Sequence, residues 1–274
     1  MSAATKDNWN PQHYSTNASF VFSKTNTLPL FQLLDPQSGD NILDVGCGSG
    51  ELTLREWTTA VGPEGSVLGV DSSLSMIDAA KKLLDSHATG NARFLVADGH
   101  NLTETLKSVA PNPFDKVVSN AALHWMKENP GKVFKEVSNV LKSGGTFAAE
   151  MGGFLNIIGV RSALHLAFKK RGLNSEEADP WWFPTPAACQ ELLEAAGFRV
   201  ESIELVPRPT TLNETGLKGW LENFGEPWFK KLKKQEEKSE LIDELSDMLR
   251  VDMCDEKGIW TLMYVRLRFK AVKE

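Results

Sequence analysis

Three glycines at alternate positions, Gly46, Gly48 and Gly50, follow the short apolar run Asn41–Val45. Directly after them, Leu52, Leu54, Trp57, Ala60 and Val61 give residues 50–61 the spacing of a helix. A strand that ends in glycine and hands over to a helix needs a tight turn, and it leaves backbone N–H groups free at the helix start. The same rhythm repeats. Strands are predicted at 66–70, 93–97, 115–119 and 146–151, and helices at 74–86, 102–109 and 130–141. Asp71-Ser72-Ser73 supplies a cap for the second helix, and Ser143-Gly144-Gly145 a turn before the fifth strand. Short, largely apolar strands alternating with helices predict an α/β fold: a mostly parallel sheet with helices on both faces.

After residue 151 the rhythm changes. A helix is predicted at 155–171, followed by a stiff aromatic loop, Asp179-Pro-Trp-Trp-Phe-Pro-Thr-Pro186. A helix at 187–196 closes on Gly197, and a strand at 198–206 is expected to end at Pro207-Arg208-Pro209. Residues 214–254 read as helical, with Leu241, Leu245, Met248 and Leu249 on one face and a mixed-sign stretch from Lys230 as a solvated face. In the last strand, 260–271, Thr261, Met263, Val265, Leu267 and Phe269 alternate with Leu262, Tyr264, Arg266, Arg268 and Lys270. That pattern predicts an antiparallel strand with one wetter face.

At 274 residues, the chain has length for about 1.8 average domains. The expectation is one domain over 1–274, with an N-terminal arm (1–40) and two lid insertions (152–186 and 208–256). A net charge of −6 argues against nucleic acid or an anionic membrane as main partner. No apolar run reaches the roughly 18 residues needed to span a bilayer. The N-terminus has no apolar signal core, and Cys47, Cys189 and Cys254 are scattered, which together suggest a reducing, cytoplasmic setting. Oligomeric state is not legible. Eight tryptophans against two tyrosines have two readings: core and lid packing, or an aromatic pocket for a flat or apolar ligand.

The glycine loop is not a dinucleotide loop, because G-x-G-x-x-G requires glycine at 51, where Glu51 stands; nor does Gly-Lys-Ser/Thr follow. A nicotinamide oxidoreductase is thereby disfavoured. Instead Asp44-Val-Gly46-Cys47-Gly48-Ser-Gly50 resembles the first motif of class I S-adenosylmethionine-dependent methyltransferases. The other family features follow in order: Asp71 ending strand two, Ala97-Asp98-Gly99 ending strand three, Ser119-Asn120-Ala121-Ala122-Leu123-His124-Trp125 ending strand four, and Leu141-Lys-Ser-Gly-Gly145 before strand five.

The resemblance implies a Rossmann-like sheet of seven strands with the last antiparallel, and S-adenosyl-L-methionine as cofactor. It implies that Gly46, Gly48 and Gly50, with Cys47 among them, admit the methionine moiety. Asp44 would orient the ammonium and Asp71 would accept from the ribose hydroxyls, with Ser72 and Met76 near ribose and adenine. Asp98 would accept from the adenine amino group, the Gly99 N–H would face a ring nitrogen, and Asn120 with Ala121 would border the amino acid portion. His124 has three readings: general base, hydrogen-bond donor to substrate, or structural partner. His13, His87, His100 and His165 form no cluster, so no metal is expected.

The segments Trp9-Asn-Pro-x-x-Tyr14 and Asn120–Trp125, with Gly152–Asn156 and Pro180–Pro184, resemble the trans-aconitate and juvenile-hormone-acid methyltransferase group, whose members methylate carboxylates. Trp9, Tyr14, His124, Trp125 and Trp181 are the candidate substrate residues. Arg161, Arg171 and Arg208 are the candidate anion partners, though each reads first as a surface residue. The function expected is O-methylation of a carboxylate or hydroxyl on a small metabolite, less polar than aconitate given the aromatics, in secondary metabolism. The alternatives are N- or C-methylation, or a cofactor-binding protein that does not methylate.

Overall fold

The computed structural model describes residues 9, 11, 19–87, 89–110, 112–234 and 236–274. Seven strands form one sheet: β1 (Asn41–Val45), β2 (Ser66–Asp71), β3 (Ala92–Val96), β4 (Phe114–Asn120), β5 (Leu141–Gly152), β6 (Phe198–Thr211) and β7 (Thr261–Lys273). Their order is β3-β2-β1-β4-β5-β7-β6. The first five strands pair in parallel, and β7 runs antiparallel to both β5 and β6. The chain order reverses between β1 and β4, so the crevice beyond their carboxyl ends is where an open α/β sheet takes a ligand.

Local sequence sets these elements. Ser73 Oγ accepts from the Met76 N–H (3.1 Å) and starts α1 (Leu74–Asp85), which buries Met76, Ile77 and Ala80. Asn129 caps α2 (Pro130–Val140), with Pro130 in the first turn where its missing N–H costs nothing. Between β1 and β2 the chain takes a π-helical turn over Thr53–Trp57, continued by Thr58–Val61. On one side the sheet packs a core including Phe134, Phe147, Phe198 and Phe269; on the other lie Leu30, Leu34, Trp57 and Val61. A separate cluster joins α3 (Ile158–Lys170), α4 (Gly216–Phe224) and α5 (Glu236–Met253) around Trp181, Trp220 and Trp228.

Four expectations are corrected. Strand β6 does not stop at Pro207: it runs through both prolines to Thr211, paired with β7 throughout. As the sheet's edge, β6 has one side that needs no N–H donor, so proline fits there. The segment 214–254, expected to be helical, is so only in part: among the described residues it holds three helices, interrupted after Phe224 and again after Phe229. The helix expected from 155 starts at Ile158, because Leu155 (φ 69°) and Ile157 (φ 47°) take left-handed conformations that no helix contains. The supposed wetter face of β7 is not wet. Arg266 is 3% exposed and, with Arg268, points into an ion cluster around buried Glu150, while Lys270 pairs with Glu201 nearer the surface.

Among the described residues no helix is long and apolar enough to cross a membrane.

Candidate active site

The glycine loop sits at the mouth of the crevice. Gly46, Gly48 and Gly50 all have positive φ (76°, 55° and 84°), and the reasons differ. A Cβ on Gly46 would lie 2.1 Å from the Ala122 Cβ, and one on Gly50 would lie 2.8 Å from the Phe94 ring. Those two glycines make room for the protein itself. A Cβ on Gly48 would meet none of the described residues within 4 Å: among them this residue borders open space. The Gly48 N–H donates to Asp71 Oδ2 (3.0 Å), and the Ser73 N–H donates to Asp71 Oδ1 (2.9 Å). Asp71 is thus fixed beside the loop, with its carboxylate at the end of β2.

Asp44 lies under the loop and is buried. Its Oδ2 accepts from Thr53 Oγ1 (2.7 Å) and Trp57 Nε1 (3.2 Å). Those donors are four residues apart, at the two ends of the π-turn, which aims both at one carboxylate. Burial pushes the Asp44 carboxyl up to about 6, against the two hydrogen bonds that favour its ionised form. Cys47 turns its thiol into the core against Ile77, Ala80 and Phe94, so only its backbone faces the crevice. Met76 is buried and Ser72 exposed.

At the end of β3, Asp98 Oδ1 accepts from the His100 N–H (2.9 Å) and meets its Nδ1 (2.8 Å). Partial burial opposes ionisation of Asp98, but these contacts more than reverse it and hold the carboxyl below its usual range. Gly99 is buried under Met126.

At the end of β4, the Asn120 side chain reaches the Val21 carbonyl (3.5 Å), and Ala121 is held at φ 56° with its N–H on the Glu150 carbonyl (2.7 Å). A left-handed non-glycine residue here is strained, as is common at functional sites. His124 follows, 7% exposed. Its Nδ1 accepts the Gly152 N–H (3.3 Å). Burial first, then the nearby Arg266 charge, drive its pKa well below the usual histidine value. A neutral ring whose Nδ1 accepts carries its proton on Nε2.

Beyond Ala121 and His124 opens a pocket walled by Trp125, Trp181, Phe183, Trp220 and Phe224. Trp181 stacks on Phe183 (5.8 Å, 10°), and Trp125 meets Trp9 edge-on (5.0 Å, 87°). The Trp9 carbonyl accepts from Ser75 Oγ (2.9 Å), which ties the N-terminal arm to the start of α1. Tyr14 lies outside the described residues. Of the three arginines weighed from sequence, Arg208 reaches this pocket, Arg161 pairs with Asp179 beside it, and Arg171 pairs with Glu244. Sequence reasoning missed Arg266, Glu150, Tyr264 and Phe183. The available signal was a pair of arginines, two apart, on one face of an otherwise apolar strand.

The donor set suits the expected cofactor. An open cradle at Gly48 stands beside a carboxylate at the end of β2, and a second exposed carboxylate ends β3.

Comparison with known proteins agrees. A model of a methyltransferase domain matches residues 36–168. The chain is 34% identical to an uncharacterised methyltransferase of Schizosaccharomyces pombe, over 98% of this chain and 99% of that one. It is 29% identical to a malonyl-[acyl-carrier protein] O-methyltransferase of Paenibacillus, over 57% of this chain and 54% of that protein. Its fold matches phosphoethanolamine N-methyltransferase 2 of Haemonchus contortus, solved with S-adenosylhomocysteine. That TM-score is 0.58 at 18% identity, over 96% of this chain and 56% of that one.

Proposed function

The chain belongs to the class I S-adenosylmethionine-dependent methyltransferases, and from that premise we propose that it methylates an oxygen, carboxylate or hydroxyl, of a small molecule. The observation that carries this reading is the aromatic pocket beside Ala121 and His124. It is narrow and lined by side chains, and among the described residues its wall contains no Asp or Glu. A protonated amine would find no carboxylate there. An oxygen finds donors: the His124 Nε2–H, Arg208 and Arg266. O-methylation also fits the Paenibacillus relative, which is a malonyl-[acyl-carrier protein] O-methyltransferase.

When bound, S-adenosylmethionine supplies an activated methyl group whose sulfur departs as a neutral thioether. The chain's part is positioning. Gly48 lets the ligand lie against the backbone, and Asp71 takes the ribose hydroxyls. Asp98 and Gly99 take the adenine edge. Asp44 and the Asn120–Ala121 segment border the amino acid end, while Ser72, Met76 and the Cys47 backbone complete the wall. Trp9, Trp125 and Trp181 enclose the substrate and exclude water, which keeps the accepting oxygen aligned with the methyl group. His124 acts here as a donor that orients a substrate oxygen rather than as a base: a carboxylate has no proton to lose, and a hydroxyl would have to bind already ionised, as a phenolate. To take a proton His124 would have to become a buried cation beside Arg266, which its surroundings oppose.

Incubation with S-adenosylmethionine and a panel of small acids, phenols and amines tests the reading. Formation of S-adenosylhomocysteine with methyl esters or ethers is expected. Turnover of amines alone, or cofactor binding without turnover, contradicts it.

Two further results are expected. His124→Ala should lower kcat well over its effect on S-adenosylhomocysteine affinity, and the wild-type profile of kcat against pH, taken at saturating cofactor, should show no inflection near the ordinary histidine value. An unchanged kcat removes His124 from the reaction. Asp44 carries a pH signature. Its carboxyl is raised above its usual 3.8, so its contribution to stability is present below that value and is lost as pH rises through about 6. A cationic ammonium beside it favours the ionised form. Cofactor affinity should therefore fall as pH drops from 7 to 5, and Asp44→Asn should flatten that slope in calorimetric titrations. A slope that persists in Asp44→Asn assigns it to another group.

A further inference from the structure

Glu150 is a single carboxylate, 2% exposed, that faces three guanidinium groups. Arg208 Nη1 donates to its Oε1 (2.9 Å), Arg266 Nε to the same oxygen (3.2 Å), and Arg268 Nε to Oε2 (2.5 Å). The arginines come from β6 and β7, and Glu150 from β5. The cluster therefore carries an excess of buried positive charge. Unmatched charge away from water is costly, and a protein keeps it where a ligand supplies the missing anion or where the arrangement is held by packing alone. Three observations favour the ligand. Arg208 and Arg266 both line the aromatic pocket, and Arg268 does not. The buried Arg208 Nε has no hydrogen-bond partner among the described residues. The Arg208 guanidinium lies over the Tyr264 ring, 5.9 Å from its centre, which holds the planar donor fork in place.

We propose that Arg208 and Arg266 form an anion-holding subsite in the substrate pocket, so that the substrate carries a carboxylate that docks there. Arg266 sits opposite Gly152, whose N–H donates to His124, so the subsite borders the segment that follows β4. Glu150 is a positioning residue: it fixes the two guanidinium groups without cancelling their charge. The aromatic residues that line the same pocket select an apolar or flat body. The substrate class is an amphipathic organic acid, neither a polyacid without an apolar body nor a neutral phenol. The proposal rests on the methyltransferase reading only in taking this pocket as the substrate's.

The test compares cinnamate and decanoate with cinnamamide and decanamide, titrated into the protein with S-adenosylhomocysteine present and read by calorimetry and by tryptophan fluorescence. Each acid should bind about tenfold or more tightly than its amide, since charged hydrogen bonds are lost in the amide. Arg208→Met and Arg266→Met should each erase most of that preference. Arg268→Met contacts the same Glu150 but not the pocket, and it should keep the preference even where it lowers the melting temperature. Arg208→Lys, which retains charge but not the fork, should keep part of it. Equal binding of acid and amide by the wild type, no measurable binding of either acid, or a preference that survives both methionine variants overturns the proposal. S-adenosylhomocysteine affinity is measured in the same samples. If it persists while the acid preference is absent, the subsite fails and the methyltransferase reading stands; if it is absent too, that reading fails separately.

Discussion

Gly48→Ala should leave the protein folded and cost it the cofactor. Alanine at φ 55° carries a strain of about 1–2 kcal/mol, and its Cβ would touch no atom of the described residues within 4 Å. A melting temperature lowered by only a few degrees is therefore expected. The methyl group would instead project into the space where the ligand lies against the backbone. Overpacking there should weaken S-adenosylhomocysteine binding by about tenfold or more, from a penalty of roughly 1–3 kcal/mol. Gly46→Ala is the opposite case. Its Cβ would sit 2.1 Å from the Ala122 Cβ, so the β4 loop or the glycine loop must move, and strain and clash together should destabilise the fold by roughly 2–5 kcal/mol. Thermal melts and calorimetry on both variants separate the effects. Wild-type affinity in Gly48→Ala would show that the open cradle is not where the ligand rests.

The largest loss of stability is expected at Glu150. Glu150→Ala leaves Arg208, Arg266 and Arg268 buried together with no carboxylate among them. Breaking a buried ion pair by removing one partner costs about 3–5 kcal/mol, and here the groups left behind also repel one another. Glu150→Gln keeps an acceptor oxygen and should fall between. The same cluster sets an acid limit. Burial alone would raise the Glu150 carboxyl, but Arg266, Arg208 and Arg268 together hold it below its usual 4.5. A depressed carboxyl contributes stability above its ordinary value and loses it as pH falls through the lower, folded-state value. The wild type should therefore shed this contribution only below about pH 4.5, and Glu150→Ala should lack that part of the acid transition. Urea unfolding at neutral and acid pH measures both. A loss under about 1 kcal/mol in Glu150→Ala would mean that the arginines find other partners or water.

The contrast between these two sites explains what sequence carries. The glycine loop, Asp71, Asp98 and Asn120 were legible because each sits at the end of its own strand, and a strand end is a local feature marked by glycine, aspartate or asparagine. Sheet order followed from the alternation and from the resemblance. The ion cluster was not legible, because its bonds join residues 58 to 118 positions apart and the partners come from three strands. Read alone, Arg266 and Arg268 marked a solvated face; only the covering of β7 by helices shows that face to be buried. The prolines of β6 misled for a related reason. Their effect depends on whether the strand is an edge, which is a property of the sheet. Trp57 and the π-turn were also hidden: a regular helical spacing gave no sign that the turn widens to bring Thr53 and Trp57 onto Asp44.

The central claim is that the crevice between β1 and β4 holds the cofactor with its sulfur facing the aromatic pocket. A crystal structure with S-adenosylhomocysteine bound tests it most directly. The ribose hydroxyls should lie on Asp71, the homocysteine portion against Gly48, and the sulfur toward Ala121 and His124. A ligand bound away from Asp71 and Gly48, or with its sulfur turned from the pocket, would contradict the account.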